Sequence, residues 1–245
     1  MNRFSLLFCA IYFISMGAFG QTKVIDSVSQ ESSMAHAVSN FYTSLGKQSG
    51  LFDGLAYDFY DHRINGSPYF TDAPNTFTPG SVFYNNVLYK NVPMLYDLNK
   101  DIVVALLPNT TIKYTLVSDK VQSFDLAGHH FIYFKQDTLN NKTNLRRGFY
   151  DRLYNGKVLV LAKRSKTIQI DNLVKTDYVF TSETNYYLKR GGKYYTVNGK
   201  GSFINALGDK KKEINLYLKN NHISYSDDPE QAMVKIAAYY DQLTN

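Results

Sequence analysis

Ser81-Val82-Phe83-Tyr84 and Val87-Leu88-Tyr89-Lys90 stand on either side of the pair Asn85-Asn86. Both arms are rich in β-branched and aromatic residues, and asparagine tolerates the positive φ that a two-residue hairpin turn demands. The stretch predicts a β-hairpin, and the same pattern repeats downstream. Residues 94–98 and 102–107 flank Asn99-Lys100-Asp101, Pro108-Asn109 breaks the next corner, and 111–117, 121–126 and 129–134 follow with short polar turns between them. Consecutive strands with brief loops predict an antiparallel meander, because a parallel sheet needs helical crossovers. The expected class is mainly β, a sandwich or barrel-like sheet.

The pattern extends in both directions. Upstream, Leu55, Tyr57 and Phe59 alternate with polar or small neighbours and predict another strand. Before it, Met34, Val38, Phe41, Tyr42 and Leu45 fall at helical spacing between Ser33 and Gly46, which predicts an N-terminal helix. Downstream, 136–147 is polar and asparagine-rich, and strands are expected at 149–154, 157–163, 167–170 and 178–181. Residues 158–162 are apolar on both faces, which places that strand centrally. Residues 186–190 and 193–197 then flank Gly191-Gly192, another two-residue hairpin loop. With that loop, Tyr186, Leu188, Tyr195 and Val197 share one face, and Tyr187, Lys189, Tyr194 and Thr196 the other.

The end of the chain turns helical. A short helix is expected at 202–207, and a second is expected to start from Asp209 as its cap, with Ile214, Tyr217 and Leu218 as its apolar stripe. A third is marked by Asp228 as cap, Pro229 at the first position, and Met233, Ile236, Ala237, Tyr240 and Leu243 at helical spacing. No Ser/Gly/Pro-rich linker divides the chain. Residues 21–200 therefore read as one β-rich domain with its N-terminal helix, and 201–245 as a helical appendage packed on it.

Residues 1–20 read as a secretory leader: Arg3, an apolar run from Leu6 to Phe19, and small Ala18 and Gly20 before Gln21. Cys9 lies within that run, so a processed chain has no cysteine and thiol chemistry is excluded. A domain of this size buries most of its unfolded surface without disulfides. A cysteine-free exported chain points to a bacterial periplasm or surface. Asn65, Asn109 and Asn141 head Asn-x-Ser/Thr triplets, which chance also supplies. Most strand segments are shorter than the roughly 9–11 residues a membrane-spanning barrel strand needs, so the chain is not expected to span a membrane.

The precursor carries a formal +6, unevenly spread: residues 141–200 hold 13 basic and 4 acidic side chains. Such a field favours an anionic partner, although lysines also serve simply to solvate strand faces. The sharpest feature within the block is the Gly191-Gly192 hairpin. Tyr187, Lys189 and Tyr194 stand on one face, with Arg190 and Lys193 opposed at the tip, where like charges cost stability. These five residues are the candidate binding site, for an acidic glycan, a lipid headgroup or an acidic protein face. Basic residues among aromatics also suit single-stranded nucleic acid, a partner that export argues against.

Other constellations are weaker. His129 and His130 are adjacent in a strand, so their rings diverge and do not jointly bind one ion. Asp58 and His62 share a strand face but stand roughly 13 Å apart, too far to bond. Asp97, Asp101, Asp119 and Asp125 lie near turns, where aspartates commonly bond their own backbone. The sequence names no catalytic residue, metal ligand or cofactor. Twenty-one tyrosines without a tryptophan suit strands whose rings are buried and hydroxyls wet.

The segments Gly66-Ser67-Pro68-Tyr69-Phe70, Gly80-Ser81-Val82-Phe83-Tyr84, Asn91-Val92-Pro93-Met94-Leu95-Tyr96-Asp97, Phe124-Asp125-Leu126-Ala127-Gly128-His129, Gly148-Phe149-Tyr150 and Tyr239-Tyr240-Asp241-Gln242-Leu243 together resemble a group of uncharacterised exported proteins of Bacteroidota. The resemblance implies a Gram-negative envelope location and carries no activity, ligand or site residue. The leading expectation is a non-enzymatic envelope protein that binds or scaffolds through its basic, tyrosine-bearing face. The alternative is a hydrolase acting on envelope polysaccharide or another polymer.

Overall fold

The computed structural model describes residues 50–71, 76–107, 109–135, 145–171 and 177–244; the expected leader at 1–20 and the expected helix at 33–46 lie outside them. The described chain is mainly β. In order come β1 (Ile64–Asn65), β2 (Thr78–Tyr84), β3 (Val87–Asp97), β4 (Ile102–Leu106), β5 (Lys113–Thr115), β6 (Val121–Leu126), β7 (His129–Phe134), β8 (Gly148–Asn155), β9 (Leu159–Ile170), β10 (Tyr178–Arg190) and β11 (Lys193–Val197). Helices α1 (Lys200–Leu207), α2 (Lys211–Asn220) and α3 (Pro229–Leu243) follow. The strands form one sheet ordered β1-β10-β9-β8-β7-β6-β2-β3-β4-β5, with β11 also on β10. Every pairing is antiparallel except β1 on β10.

The predicted hairpins form at the predicted turns. Asn85 and Asn86 adopt φ of 51° and 65°, and Gly191 and Gly192 adopt 54° and 80°. Between β6 and β7 the turn is Ala127-Gly128, with Ala127 at φ 51°, a conformation that costs a side-chain-bearing residue energy. Residues 94–98 do not form a separate strand, because β3 runs on through Pro93. Gly80 pairs with Val92 and Val82 with Tyr89, so Lys90 and Asn91 together oppose Ser81. This is a bulge, with Asn91 at φ 55° supplying its left-handed residue. Pro93 pairs with Pro79, where neither partner has an N–H to leave unsatisfied.

The sheet rolls over on itself. Tyr96 of β3 and Phe149 of β8 are four strand steps apart, which is roughly 19 Å across a flat sheet. Their ring centroids are 5.8 Å apart. Phe124, Phe131 and Phe149 fill the enclosed space with Val82, Met94, Val103 and Leu126. The roll brings β9 against the β3–β4 turn, where the Lys166 amide donates to the Leu98 carbonyl at 3.2 Å. Residues 55–65 lie along the seam. The Tyr57 amide donates to the Lys113 carbonyl and the Thr115 amide to Leu55, and the same stretch continues into β1 beside β10.

That role corrects the expected strand around Leu55, Tyr57 and Phe59. Only an isolated bridge, Ala56 to Tyr114, forms there. Tyr57 is buried, whereas Leu55 is 80% and Phe59 59% exposed. The segment crosses between two sheet edges and does not lie along one, so period-2 alternation marks no core face in it.

The helices cover one face of the β8–β11 end. Val158, Val160, Leu188 and Val197 of the sheet side pack with Phe203, Leu207, Ile214, Leu218, Met233 and Ile236. Asp228 caps α3 as expected, accepting from the Gln231 amide at 2.9 Å, with Pro229 in the first turn. Asp209 does not cap α2; Lys210 holds that position without a side-chain bond. Among the described residues no helix is long and apolar enough to cross a membrane.

Candidate functional site

The glycine turn sets the geometry of the β10–β11 hairpin. Arg190 pairs with Lys193, Lys189 with Tyr194, Leu188 with Tyr195 and Tyr187 with Thr196, so the predicted faces are the observed ones. On the outer face the Lys189 ammonium sits 5.3 Å from the Tyr194 ring centroid. Tyr187 lies edge-on to Tyr150 at 5.8 Å, and Tyr194 edge-on to Phe134 at 5.9 Å. Leu145 and Leu161 complete the cluster beneath. Burial raises the Tyr187 phenol above its ordinary pKa, so it remains a neutral donor at the edge of a greasy platform.

The other face holds Leu188 and carries Arg190 inward. The Arg190 guanidinium donates to the Leu207 carbonyl at the end of α1, satisfying one of the orphan carbonyls of a helix C-terminus and complementing its partial negative charge. Gly208 follows at φ 83°. A Cβ there would meet the Arg190 guanidinium at 2.3 Å and push that cation aside. Arg190 is thus committed to the fold, while Lys193 is exposed at the tip.

Lys157 joins the site from the β8–β9 turn. A surface cavity of about 200 Å³ lies between the two turns, lined by Asn155, Gly156, Lys157, Lys189, Gly191 and Gly192, with Leu159 at its base. None of these lining residues is acidic. Asp241 of α3 fixes the β8–β9 turn by accepting from the Lys157 amide at 2.7 Å and the Tyr154 hydroxyl at 2.9 Å. A Cβ on Gly156 would stand 1.9 Å from that carboxylate, which explains the glycine. The Lys157 ammonium reaches the Thr244 carbonyl with one of its three donors. Sequence reading missed Lys157, because nothing in the local pattern tells that α3 will hold its turn beside the hairpin.

Much of the remaining basic block is absorbed internally. Lys163 pairs with Asp101 at 2.6 Å, Arg147 with Asp119 at 2.7 Å, and Lys166 donates to the Ser67 and Tyr69 carbonyls. Arg164 binds Asp151 at 2.6 Å and Glu230 at 2.8 Å. Burial by itself lowers the Arg164 pKa, but the bonds to Glu230 and Asp151 outweigh it and hold the group charged. Three cations of 141–200, Arg147, Lys163 and Arg164, thus meet acids of other segments, while the cavity between the two turns brings Lys157 and Lys189 together with no acid among its lining residues.

His129, His130 and the turn aspartates are tied into hydrogen bonds and ion pairs. His129 bonds Asp151 at 2.7 Å and His130 bonds Asp125 at 2.6 Å, on opposite faces of β7 as strand geometry requires. His62 lies beside Asp61, not Asp58. Asp97, fully buried, accepts from Tyr57 and Tyr60 and from the amides of Asn99 and Lys100, bonding its own turn as expected. Burial, with Asp97 alongside, raises both tyrosines above their ordinary range. Asp101 instead bridges to Lys163 of β9, and Asp119 to Arg147 just before β8. Ser81 donates to Asp125 at 2.5 Å, so the carboxylate stands between Ser81 and His130, whereas an activated serine needs the imidazole itself. Among the described residues no group of three or more His, Cys, Asp or Glu could hold a metal ion. No protein family, curated protein or solved structure matches the chain.

Proposed function

We propose that this chain is an exported protein of a Gram-negative envelope that binds an anionic partner, without chemistry, through the end of the sheet where the β8–β9 turn and the β10–β11 hairpin meet. The leader-like residues 1–20 and the cysteine-free remainder support export. One observation carries the binding reading: the cavity between the two turns is bordered by Lys157 and Lys189, with the Tyr194 ring under the Lys189 ammonium and no carboxylate among its lining residues. Gly191 and Gly192, where an added Cβ would meet nothing within 4 Å, leave the hairpin side of the cavity without side chains. An aromatic platform beneath a cation suits acidic polymers, whose sugar or acyl faces stack while their charges meet the lysines.

The test is retention on heparin–agarose. Lys189→Glu/Lys193→Glu is expected to elute at markedly lower salt than the parent, since both side chains reach solvent. Arg190 is left intact because it holds α1. Unchanged elution would remove the reading.

A further inference from the structure

Among the described residues, the outer edge of β10 is paired at both ends and has no partner strand between them. β1 takes Tyr178 and Val179, β11 takes Tyr186 through Arg190, and β9 pairs the opposite edge along its length. Among the described residues, no strand pairs with 180–185 on that side, where the main-chain groups from the Phe180 carbonyl through Thr184 face outward. Thr181, Ser182, Glu183 and Asn185 are exposed there. Backbone donors and acceptors left open along a strand are a template for another strand, and folds that do not use such an edge ordinarily blunt it with lysine, proline or a bulge. This one has no lysine, proline or bulge, and its single charge is Glu183.

A second feature adjoins the gap. A cavity of about 180 Å³ opens beside it, lined by Phe70, Arg164, Lys166, Ser182, Glu183 and Thr184 among others. Its cations are already engaged, Arg164 by Asp151 and Glu230, and Lys166 by two carbonyls. The carboxylate of Glu183, which accepts from the Asn185 amide, is the charge left facing solvent. Ser182 and Thr184 line the cavity with hydroxyls.

We propose that this gap binds an extended peptide of a partner protein by strand addition, with basic side chains on the Glu183 face and small hydroxylated ones entering the cavity. Strand addition draws affinity from main-chain bonds and selectivity from pockets for alternate side chains, and about six residues match the common strand length. A second copy of this chain does not fit: pairing 180–185 with itself antiparallel would drive β11 of one copy onto β1 of the other. The chain is net positive, so a cationic peptide gains nothing from the overall field and must bind locally.

The probe is a blocked octapeptide of alternating lysine and threonine, titrated against the full chain and read by calorimetry and by amide exchange at Ser182 and Thr184, whose amides face the gap. Saturable binding with slowed exchange at those amides is expected. Binding is expected to weaken at least tenfold in Glu183→Lys and to vanish when every peptide amide is N-methylated, which keeps the side chains and removes the donors. Absence of binding at millimolar peptide, protection located elsewhere, or indifference to N-methylation would each overturn the proposal. None of these outcomes bears on the lysine cavity, which does not share these residues.

Discussion

The rolled half of the sheet, β2 to β8, and the helix-backed half, β8 to β11 with α1–α3, both enclose dry cores but fill them differently. The first is packed with rings: Phe124 stacks on Phe131 at 4.7 Å, and Tyr96 meets Phe124, Phe131 and Phe149 edge-on. The second is largely aliphatic, with Val160, Leu188, Leu207, Ile214, Met233 and Ile236 meeting between sheet and helices. A sheet that curls on itself needs large flat groups to span its interior, whereas helices laid on a sheet bring their own apolar stripe. The difference teaches where solvent-facing chemistry is free to sit. Asp97, Asp101 and Asp151 in the rolled half close the fold with tyrosines and cations, while the turns of the helix-backed half leave lysines over.

The two halves meet at Arg164, which binds Asp151 of β8 and Glu230 of α3. Arg164→Ala should be the most damaging single change to their union, because Asp151 is 1% exposed and would be left with His129 alone. Removing one partner of a buried pair costs about 3–5 kcal/mol. Urea unfolding followed by circular dichroism should show that loss; a fall below about 1 kcal/mol would mean that the halves are joined by packing alone.

The aliphatic core of the second half can be probed without charge. Ile236→Val is expected to cost about 1 kcal/mol, read as a lower urea midpoint at unchanged slope. A changed slope would indicate that α1–α3 unfold apart from the sheet. A similar but independent loss, about 1 kcal/mol, is expected for Asp228→Ala through the lost cap of α3. Adding Ile236→Val to it should give close to the sum if helix end and helix face act separately.

The smallest effect belongs to the rolled half's surface. Burial alone would raise the Asp53 pKa, but the bonds from Lys120 and Tyr84 outweigh it and hold the carboxyl below its usual value. Its contribution is therefore full above the unfolded-state pKa and is lost as pH falls through the depressed one. Asp53→Asn should cost roughly 0.5 kcal/mol at neutral pH, on the scale of exposed ion pairs, and less at acid pH. Equal losses at both would show that the pair is not the cause.

Legibility in the sequence also divides along these halves. Val121–Leu126 and His129–Phe134 were readable to the residue, because each is a short run rich in β-branched and aromatic residues that ends at turn residues. In β9 and β10 the reading breaks at residues 164–166 and 182–185, where the true strands continue. Those middles are largely polar because β10 has an open edge there and because Lys166 is buried against two carbonyls, neither of which periodicity can foresee. The hairpin faces of Tyr187, Lys189 and Tyr194 were legible from a two-residue glycine loop. The inward turn of Arg190 and the approach of Lys157 were not, because each depends on a helix end brought in from more than fifteen residues further along the chain.

The most direct test holds net charge constant and moves only its position. Lys157→Glu/Lys189→Glu/Lys193→Glu is compared on heparin–agarose with Lys211→Glu/Lys212→Glu/Lys219→Glu, three exposed lysines of α2. The first set should elute at far lower salt than the parent and the second close to it. Equal displacement by both sets would contradict a localised anion site and leave only the overall charge.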